Sequence, residues 1–330
     1  MPRPGTRNLI TDVPGLRVGH SADEQARTGV TALLCAADWA AGIDVRGGGP
    51  GTRESEALAP ENLVGRAHAI VLAGGSVFGL AAADGVTSAL AAQDIGLHLR
   101  PGTPAIPIVP CAVLHDLANG GDKNWGCAPP YRDLGIAAAA AAGVDFALGS
   151  AGAGRGAQAG LRKGGVGSAS LDLGKDLIVG ALVAVNSVGS VFMPDGMTYW
   201  AWAFELDAEL GGATPPGAGM DLSDPLADDS RLAELGRLQA GANTTLGVVA
   251  CTADLSTAEC KRIAMMAHDG IARAVRPAHT PFDGDTMFAL ASGGSSLGPL
   301  PLRAAQVARI GSAAADCVSR AIARAVHHAR

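Results

Sequence analysis

Short apolar runs alternate with Ala-rich helical stretches along most of this chain, and that alternation limits what it can fold into. Residues 68–75, HAIVLAGG, are typical of a strand that enters a glycine turn, and residues 77–93 follow with helical spacing. A second Ala-rich helix is predicted over 133–144, and strands over 176–185 and 190–193. A helix and a sheet each bury one apolar face against a neighbour, so the pattern predicts an α/β fold with helices packed on a sheet.

The C-terminal part of the chain repeats this alternation most clearly. Residues 244–253 and 286–292 are predicted strands, and Ser256 with Glu259 forms the sequence signature of a helix capping box. The last helix carries apolar residues at helical spacing, at Val307, Ile310, Ala314, Cys317, Ile322 and Val326. This order of strand, helix, strand and helix again favours helices on a sheet.

Composition sets the character of the core and of the surface. Hydrophobic residues make up 48% of the chain but aromatic residues only 4%, and there are 46 glycines. The core is therefore built from Ala, Val, Leu and Ile, with glycines at turns and close approaches. A net charge of -6 without a basic stripe argues against a nucleic-acid partner.

The apolar segments do not resemble a signal peptide or a membrane span. The first fifteen residues lack an apolar signal core. The most apolar stretch, 176–192, is interrupted by Asn186, Ser187 and Gly189, which favours a buried strand pair. We therefore expect a soluble, cytoplasmic protein without a membrane partner. The six cysteines form no CxxC pair, which predicts buried free thiols.

One segment differs from the rest of the chain. Residues 204–230 hold seven acidic residues, a Pro-Pro-Gly and no Lys or Arg, which predicts a solvated, mobile surface loop. The loop ends shortly before GANTTLGVV, residues 241–249, where two threonines begin an apolar strand. This junction is either an ordinary turn and strand entry or a cleavage site that uncovers a nucleophile.

The chemistry of an N-terminal threonine explains the second interpretation. A Thr hydroxyl needs a base beside it, and the α-amino group of a chain that begins with Thr can serve, because its reference pKa is about 7.7–8.0. Such a base contributes on the order of 100- to 10,000-fold in rate. Attack of the Thr244 hydroxyl on the Asn243 carbonyl would give an ester that water opens, and the acidic loop would supply slack for the ends to separate.

Two further groups of residues carry possible chemistry. Asp283 and Asp285 flank Gly284 before a strand, and residues two apart on extended chain share a face, so both carboxylates could hold an ammonium. The alternative is an exposed turn that uses Asp and Gly for their backbone preferences. Asn186 interrupts a buried strand, either as a core amide bonded to backbone or as an oxyanion donor.

The glycine-rich stretches match no phosphate-binding motif. Residues 44–54 and 72–79 are neither GxGxxG nor Walker loops. Residues 149–170 place Arg155, Arg162 and Lys163 among glycines, which would either cradle a phosphate or carboxylate or close over other backbone. Neither HExxH nor a zinc-ligand spacing occurs, so we predict no metal and no cofactor.

Taken together, these segments resemble the L-aminopeptidase/D-Ala-esterase (DmpA-like) family, which includes β-peptidyl aminopeptidases and nylon-oligomer endo-hydrolases. The resemblance runs in order along almost the whole chain, through ITDVPGLRVGH, TGVTALL, DVRGGGPGTRE, LAGGSVFGLAAADGV, PIVPCAVLHDL, GAGRGAQAGLRKGGVGSAS, VGALVAVNSVG, GANTTLGVVA and HTPFDGDTMFA. It implies a single four-layer αββα domain, residues 1–330, that cuts itself between Asn243 and Thr244. The products would be a large chain 1–243 and a small chain 244–330, which assemble into a homo-oligomer.

The resemblance also implies roles for particular residues. Thr244 matches the nucleophile, Asp283 and Asp285 match the pair that orients its amine and hydroxyl, and Asn186 matches the oxyanion-side Asn. Lys163 matches a lysine of the nylonase branch. In one departure, His115 stands in place of the family's catalytic-site Tyr, and it titrates near neutrality.

Three functions stay open at this point. The leading hypothesis is a self-processing N-terminal-threonine hydrolase that cleaves amide bonds of small peptides or peptide-like oligomers. An acyl-enzyme can also pass its acyl group to an amine, as in ornithine acetyltransferases. A non-catalytic, glycine-rich protein that binds a small molecule and stays one chain is the third possibility.

Overall fold

The computed structural model describes residues 2–226, 229–234 and 243–329. Residues 227–228 of the predicted acidic loop and residues 241–242 of the threonine segment lie outside these ranges. The strands are β1 (Leu16–Asp23), β2 (Thr28–Val45), β3 (Thr52–Arg53), β4 (Arg66–Ala73), β5 (Cys111–Val113), β6 (Gln158–Ala159), β7 (Arg162–Lys163), β8 (Gly165–Asp172), β9 (Ile178–Asn186), β10 (Thr244–Ala253) and β11 (Thr286–Ser295). The α-helices are α1 (Ala81–Ala91), α2 (Tyr131–Ala140), α3 (Thr257–Ala274) and α4 (Leu302–His327).

Short 3-10 turns connect these elements, at Ile10–Asp12, Ser55–Leu58, Ser76–Leu80, Gly152–Gly154, Trp200–Phe204 and Arg231–Glu234. The helix predicted over 77–93 therefore begins with a 3-10 turn. The strand predicted over 190–193 is wrong, since Ser190 and Phe192 form only single bridges, with Arg276 and Tyr199.

One mixed sheet runs through the molecule in the order β3, β5, β4, β2, β11, β10, β9 and β8, with β1 added beside β2. The long strand β2 belongs to both halves of this sheet, because its first part pairs with β1 and β4 and its second part with β11. The pairing of β2 with β4 shifts register between Leu34 and Trp39, where the strand passes from one half to the other.

The two halves of the sheet face each other and bury a shared core. That core combines Leu33, Ile70 and Leu114 from one half with Leu182, Leu246 and Phe288 from the other. Helices α1 and α2 pack on the outer face of the first half, and α3 and α4 on the outer face of the second. The predicted αββα arrangement is confirmed, and β2 joins its two sheet layers into one hydrogen-bonded network.

Local signals in the sequence correspond to the observed helices. Ser256 Oγ accepts from the Glu259 N–H at 3.3 Å and the Glu259 carboxylate accepts from the Ser256 N–H at 2.9 Å, which confirms the predicted capping box at the start of α3. The apolar face predicted for the last helix is buried along α4. All six cysteines are free thiols, and five are buried, whereas Cys127 is exposed.

The acidic segment is less solvated than its composition suggests. Residues 211–226 are mostly exposed, but Glu209 forms a buried ion pair with Arg320 of α4, with Nε and Oε1 2.5 Å apart. Asn8 donates to the same carboxylate at 2.5 Å. A buried charge needs a partner of opposite charge, and this ion pair therefore holds the start of the acidic segment against α4. Among the described residues, no helix combines the length and apolarity needed to cross a membrane.

Candidate active site

Sheet topology brings the candidate residues to one edge. β10 lies parallel to β11 and antiparallel to β9, so the starts of β10 and β11 and the end of β9 meet at the same edge. Thr244 begins β10 directly opposite Asn186, the last residue of β9. Asp283 and Asp285 precede β11, and a parallel bridge joins Asn243 to Asp283. Three segments that are far apart in the sequence, the end of β9, the start of β10 and the residues before β11, therefore become neighbours.

The peptide bond before Thr244 carries two hydrogen bonds on its carbonyl oxygen. Thr244 Oγ1 donates to the Asn243 oxygen at 2.5 Å, and the Gly284 N–H donates to it at 2.8 Å. Both Asn243 and Thr244 are buried, at 0% and 1% exposure. A donor that does not itself attack, here the Gly284 N–H, stabilises the negative charge that develops on a carbonyl oxygen when a nucleophile attacks the carbon. The hydroxyl that would attack is thus next to a polarised carbonyl.

Asp283 is a buried carboxylate with three donors. Its Oδ2 accepts from Thr280 N at 2.8 Å and from Thr280 Oγ1 at 2.7 Å, and its Oδ1 accepts from Val188 N at 3.3 Å. Burial, followed by the charge of Asp285, raises the pKa of Asp283 to about 6 despite these hydrogen bonds. Asp283 therefore exchanges a proton closer to neutrality than an ordinary carboxyl.

Asp285 is also buried and faces different partners. Its Oδ1 accepts from the Thr245 N–H at 2.7 Å, and its Oδ2 lies 2.7 Å from His279 Nδ1. With both aspartates only 1% exposed, the alternative of an exposed turn at Asp-Gly-Asp is wrong. Burial acts to lower the pKa of His279, but its hydrogen bond to Asp285 and the charge of that carboxylate hold the pKa above its ordinary value.

Asn186 is held in one orientation. Its Oδ1 accepts from Gln158 N at 3.0 Å and from Arg231 Nη2 at 3.1 Å, and its Nδ2 donates to the His115 carbonyl at 3.1 Å. The oxygen is thus saturated by donors, and Nδ2 keeps its second hydrogen for a further acceptor. This arrangement confirms the interpretation of Asn186 as a satisfied buried amide, whereas its role as an oxyanion donor stays a prediction.

Sequence reasoning missed Arg231, which links both sides of the site. Its Nη1 donates to the Asn243 side-chain oxygen, and its Nε donates to the Gly160 carbonyl at 3.0 Å. Burial lowers the pKa of Arg231 to about 10, and the charge of Asp283 acts in the opposite direction. A signal was present in the sequence, because Arg231 is the first cation after the acidic segment.

The backbone of residues 46–49, which include three glycines, packs against the backbone of Asp283 and Asp285. The Gly49 N–H donates to the Asp283 carbonyl at 2.8 Å, and the Arg46 N–H donates to the Asp285 carbonyl at 3.0 Å. A Cβ on Gly47 would lie 2.4 Å from the Asp283 oxygen and from the Asp285 nitrogen. The run of glycines therefore permits a close approach of two backbones.

The structure does not bring Lys163 into direct contact with these groups. Lys163 is exposed in the β6–β7 hairpin opposite Gln158, and no hydrogen bond or ion pair joins it to Thr244, Asp283 or Asp285. It lines a cavity of about 290 Å³ whose other lining residues are Arg27, Asn119, Ser150, Arg155, Gly156, Ala157 and Gln158.

His115 and Arg162 contact different groups. The His115 carbonyl touches Asn186, and burial, helped by the charge of Arg231, lowers the pKa of the half-buried ring against an opposing hydrogen bond from its own backbone. Arg162 instead lies over the Phe192 ring, 5.4 Å from its centroid. Within the ranges that the structure describes, no group of three or more His, Cys, Asp or Glu residues is placed to hold a metal ion.

Solved structures establish the class of the fold. The chain aligns with the L-aminopeptidase D-Ala-esterase/amidase of Ochrobactrum anthropi, described as a variant of the Ntn (N-terminal nucleophile) hydrolase fold, with a TM-score of 0.68. The alignment covers 99% of this chain and 88% of that one at 20% identity. The fold is therefore that of the Ntn hydrolases.

Sequence relatives establish the family. Residues 8–330 match peptidase family S58, and the chain belongs to that family. It is 44% identical to a Mycobacterium bovis protein named as an uncharacterized aminopeptidase, over 98% of this chain and 94% of the relative. It is also 30% identical to the 6-aminohexanoate-oligomer endohydrolase of a Kocuria strain, over 93% of this chain and 84% of the relative. The protein is a hydrolase of amide bonds.

Proposed function

We propose that the chain cuts itself between Asn243 and Thr244 and then hydrolyses amide bonds of small peptides or peptide-like oligomers with Thr244 as nucleophile. The observation that carries this proposal is the double hydrogen bond on the Asn243 carbonyl, from Thr244 Oγ1 at 2.5 Å and Gly284 N at 2.8 Å. An ordinary strand entry needs neither a hydroxyl nor a second donor on that oxygen.

The self-cleavage step proceeds as follows. Thr244 Oγ1 attacks the Asn243 carbonyl carbon and loses its proton, and the Gly284 N–H stabilises the negative charge that develops on the oxygen. The bond from this carbon to the Thr244 nitrogen then breaks, the nitrogen takes up the proton that Oγ1 lost, and an ester remains on Oγ1. Water hydrolyses the ester, which leaves a carboxylate on Asn243 and a free α-amine on Thr244.

Turnover uses the same atoms. The new amine of Thr244 takes the proton from Oγ1, which attacks the substrate carbonyl, and the protonated amine then donates to the leaving nitrogen. The remaining hydrogen of Asn186 Nδ2 is available to the developing oxyanion, a role worth about 2.7–4 kcal/mol in other enzymes. Water releases the acyl group and regenerates the enzyme. We further propose that the processed units assemble into a homo-oligomer.

The cavity beside Lys163 supports a preference for substrates that carry a carboxylate. Three cations line it, and one of them, Arg155, is already paired with Glu24: its Nε donates to both carboxylate oxygens, at 2.8 and 2.9 Å, and its Nη2 donates to Oε2. Arg27 and Lys163 form no ion pair with any described residue. Gln158, which lines the cavity, donates its N–H to Asn186, so the cavity adjoins the residue proposed to bind the oxyanion. A carboxylate of the substrate would supply the missing counter-charge.

The proposal is tested by intact mass under denaturing conditions on freshly purified, active protein. The expected spectrum contains two chains, the smaller of which begins Thr-Thr-Leu and holds about a quarter of the 330 residues. Active protein that is entirely full-length would refute self-processing, and inactive full-length protein would favour the binding-protein alternative. Product analysis with an added amine acceptor separates hydrolysis from acyl transfer.

A further inference from the structure

His279 directs two donors at a single carboxylate oxygen. Its ring Nδ1 lies 2.7 Å and its backbone N–H 3.1 Å from Asp285 Oδ2. The backbone of His279 has φ 56°, in the left-handed region that costs a non-glycine residue conformational energy. This conformation turns ring and backbone toward the same atom. The family resemblance assigns no role to this residue.

The surroundings of His279 are polar and partly buried. The His268 ring packs edge-on at 4.9 Å between centroids, and its Nε2 lies 3.0 Å from the Asp44 carbonyl and 3.6 Å from the Asp44 carboxylate. Arg46 pairs with that carboxylate at 2.5 Å. Asp285 is thus the carboxylate in direct contact with His279, whose side chain is 23% exposed.

Asp285 in turn lies close to the nitrogen that self-cleavage would free. Its Oδ1 accepts from the Thr245 N–H at 2.7 Å. Consecutive backbone nitrogens are less than about 3.8 Å apart, so Oδ1 lies within roughly 6.5 Å of the Thr244 nitrogen. At that separation a buried negative charge stabilises an ammonium strongly. A lone Asp285 carboxylate would therefore favour the protonated form of the Thr244 amine and reduce the fraction that can act as a base near neutral pH.

We propose that His279 is a positioning residue which, in its protonated form, offsets the charge of Asp285 and thereby keeps the Thr244 amine available as a base near neutral pH. This inference rests on the proposed self-processing function. The other charged groups near His279 are Asp283, which also favours its protonation, and the Asp44–Arg46 pair behind His268. Burial of His268 lowers its pKa to about 4, so that ring is neutral at neutral pH.

The test is the substitution His279→Asn. Asn tolerates the left-handed backbone and can still donate to Asp285, but it carries no charge. His98→Asn is the matched control, because His98 faces Asp94 at 3.7 Å on the exposed surface. The rate of amide hydrolysis is measured against pH for both variants and the wild type, and intact mass is recorded on the same samples.

In His279→Asn, the rising limb of the pH–rate curve is expected to shift to higher pH by on the order of one unit. In His98→Asn, it is expected to stay at the wild-type pH. The rate at pH 7 would then fall by up to about tenfold. A cleaved His279→Asn variant with the wild-type limb overturns the inference and leaves the proposed function intact. Wild-type protein that hydrolyses amides without being cleaved overturns both.

A second measurement does not depend on turnover. The His279 ring is titrated by NMR in the wild-type chain and in Asp285→Asn. If the two side chains form the pair described here, the pKa of His279 falls when the carboxylate is removed. A ring pKa that is the same in both proteins overturns the inference, whatever the rates.

Discussion

Gly284→Ala is expected to slow self-cleavage strongly by displacing the nucleophile. A Cβ on Gly284 would lie 2.6 Å from Thr244 Oγ1 and 2.9 Å from the Gly49 carbonyl oxygen. Ordinary contact begins at 3.4 Å, so the methyl group and the hydroxyl must separate by about 0.8 Å. The Gly49 carbonyl oxygen would also be too close to the methyl group, so two contacts and not one must be relieved. The Gly284 backbone is outside the left-handed region, and alanine therefore brings no conformational strain of its own.

The size of the effect follows from this displacement. A misplacement of about 1 Å at a reacting atom costs on the order of 100-fold in rate. The same methyl group would push the Gly284 N–H away from the Asn243 carbonyl and remove a donor from the developing oxyanion. We therefore expect self-cleavage to slow by at least about 100-fold while the fold is retained.

The assay follows the cleaved fraction by denaturing mass spectrometry at intervals after cell-free synthesis. Gly294→Ala is the matched control, because it adds the same methyl group on β11 where the nearest atoms are 3.6 Å away. Circular dichroism and urea unfolding confirm that both variants fold. Cleavage of Gly284→Ala at the wild-type rate would show that Thr244 Oγ1 is not the attacking atom or that the contact relaxes without cost.

Three further predictions concern the neighbouring residues. Thr244→Val should abolish cleavage and turnover, whereas Thr245→Val should preserve both. Thr245→Val should also raise the free energy of unfolding by about 1 kcal/mol, because the buried Thr245 Oγ1 has no hydrogen-bond partner among the described residues. Equal loss of activity in both variants would indicate that the two residues have structural roles. Because the pKa of Asp283 is raised to about 6, the folded state binds its proton more tightly than the unfolded state does, and this residue's contribution to stability falls as pH rises from about 4 to 6. Urea unfolding should therefore show the stability of Asp283→Asn improving relative to wild type by roughly 1–3 kcal/mol between pH 4 and pH 7, and a constant difference would contradict the raised pKa. Arg27→Gln should raise KM at least about threefold for a peptide with a free carboxylate and leave KM unchanged for the amidated form of the same peptide. Equal effects on both KM values would show that Arg27 does not recognise the substrate carboxylate.

Local features of the sequence determined the elements and much of the candidate chemistry. Apolar periodicity located β10, α3, β11 and α4, because such patterns reflect which face of a single helix or strand is buried. The capping box at Ser256 depends on two residues only three apart, so it could also be recognised from the sequence. Thr244 was identified as a candidate because it begins an apolar strand shortly after an acidic segment. The pairing of β2 with both sheet layers left no such local signal.

Tertiary structure alone decided which groups meet. Burial of Asp283 and Asp285, the contact of Asp285 with Thr245, and the position of Arg231 between Asn186 and Asn243 all depend on pairing between distant segments. Strand order also left Lys163 exposed in a hairpin, where no hydrogen bond joins it to Thr244. Periodicity reports the face that a residue occupies within its own element. Which residue of a neighbouring element it meets depends on strand order and register, and these pair segments that are distant in the sequence. Strand order and register therefore decided which residues form the site.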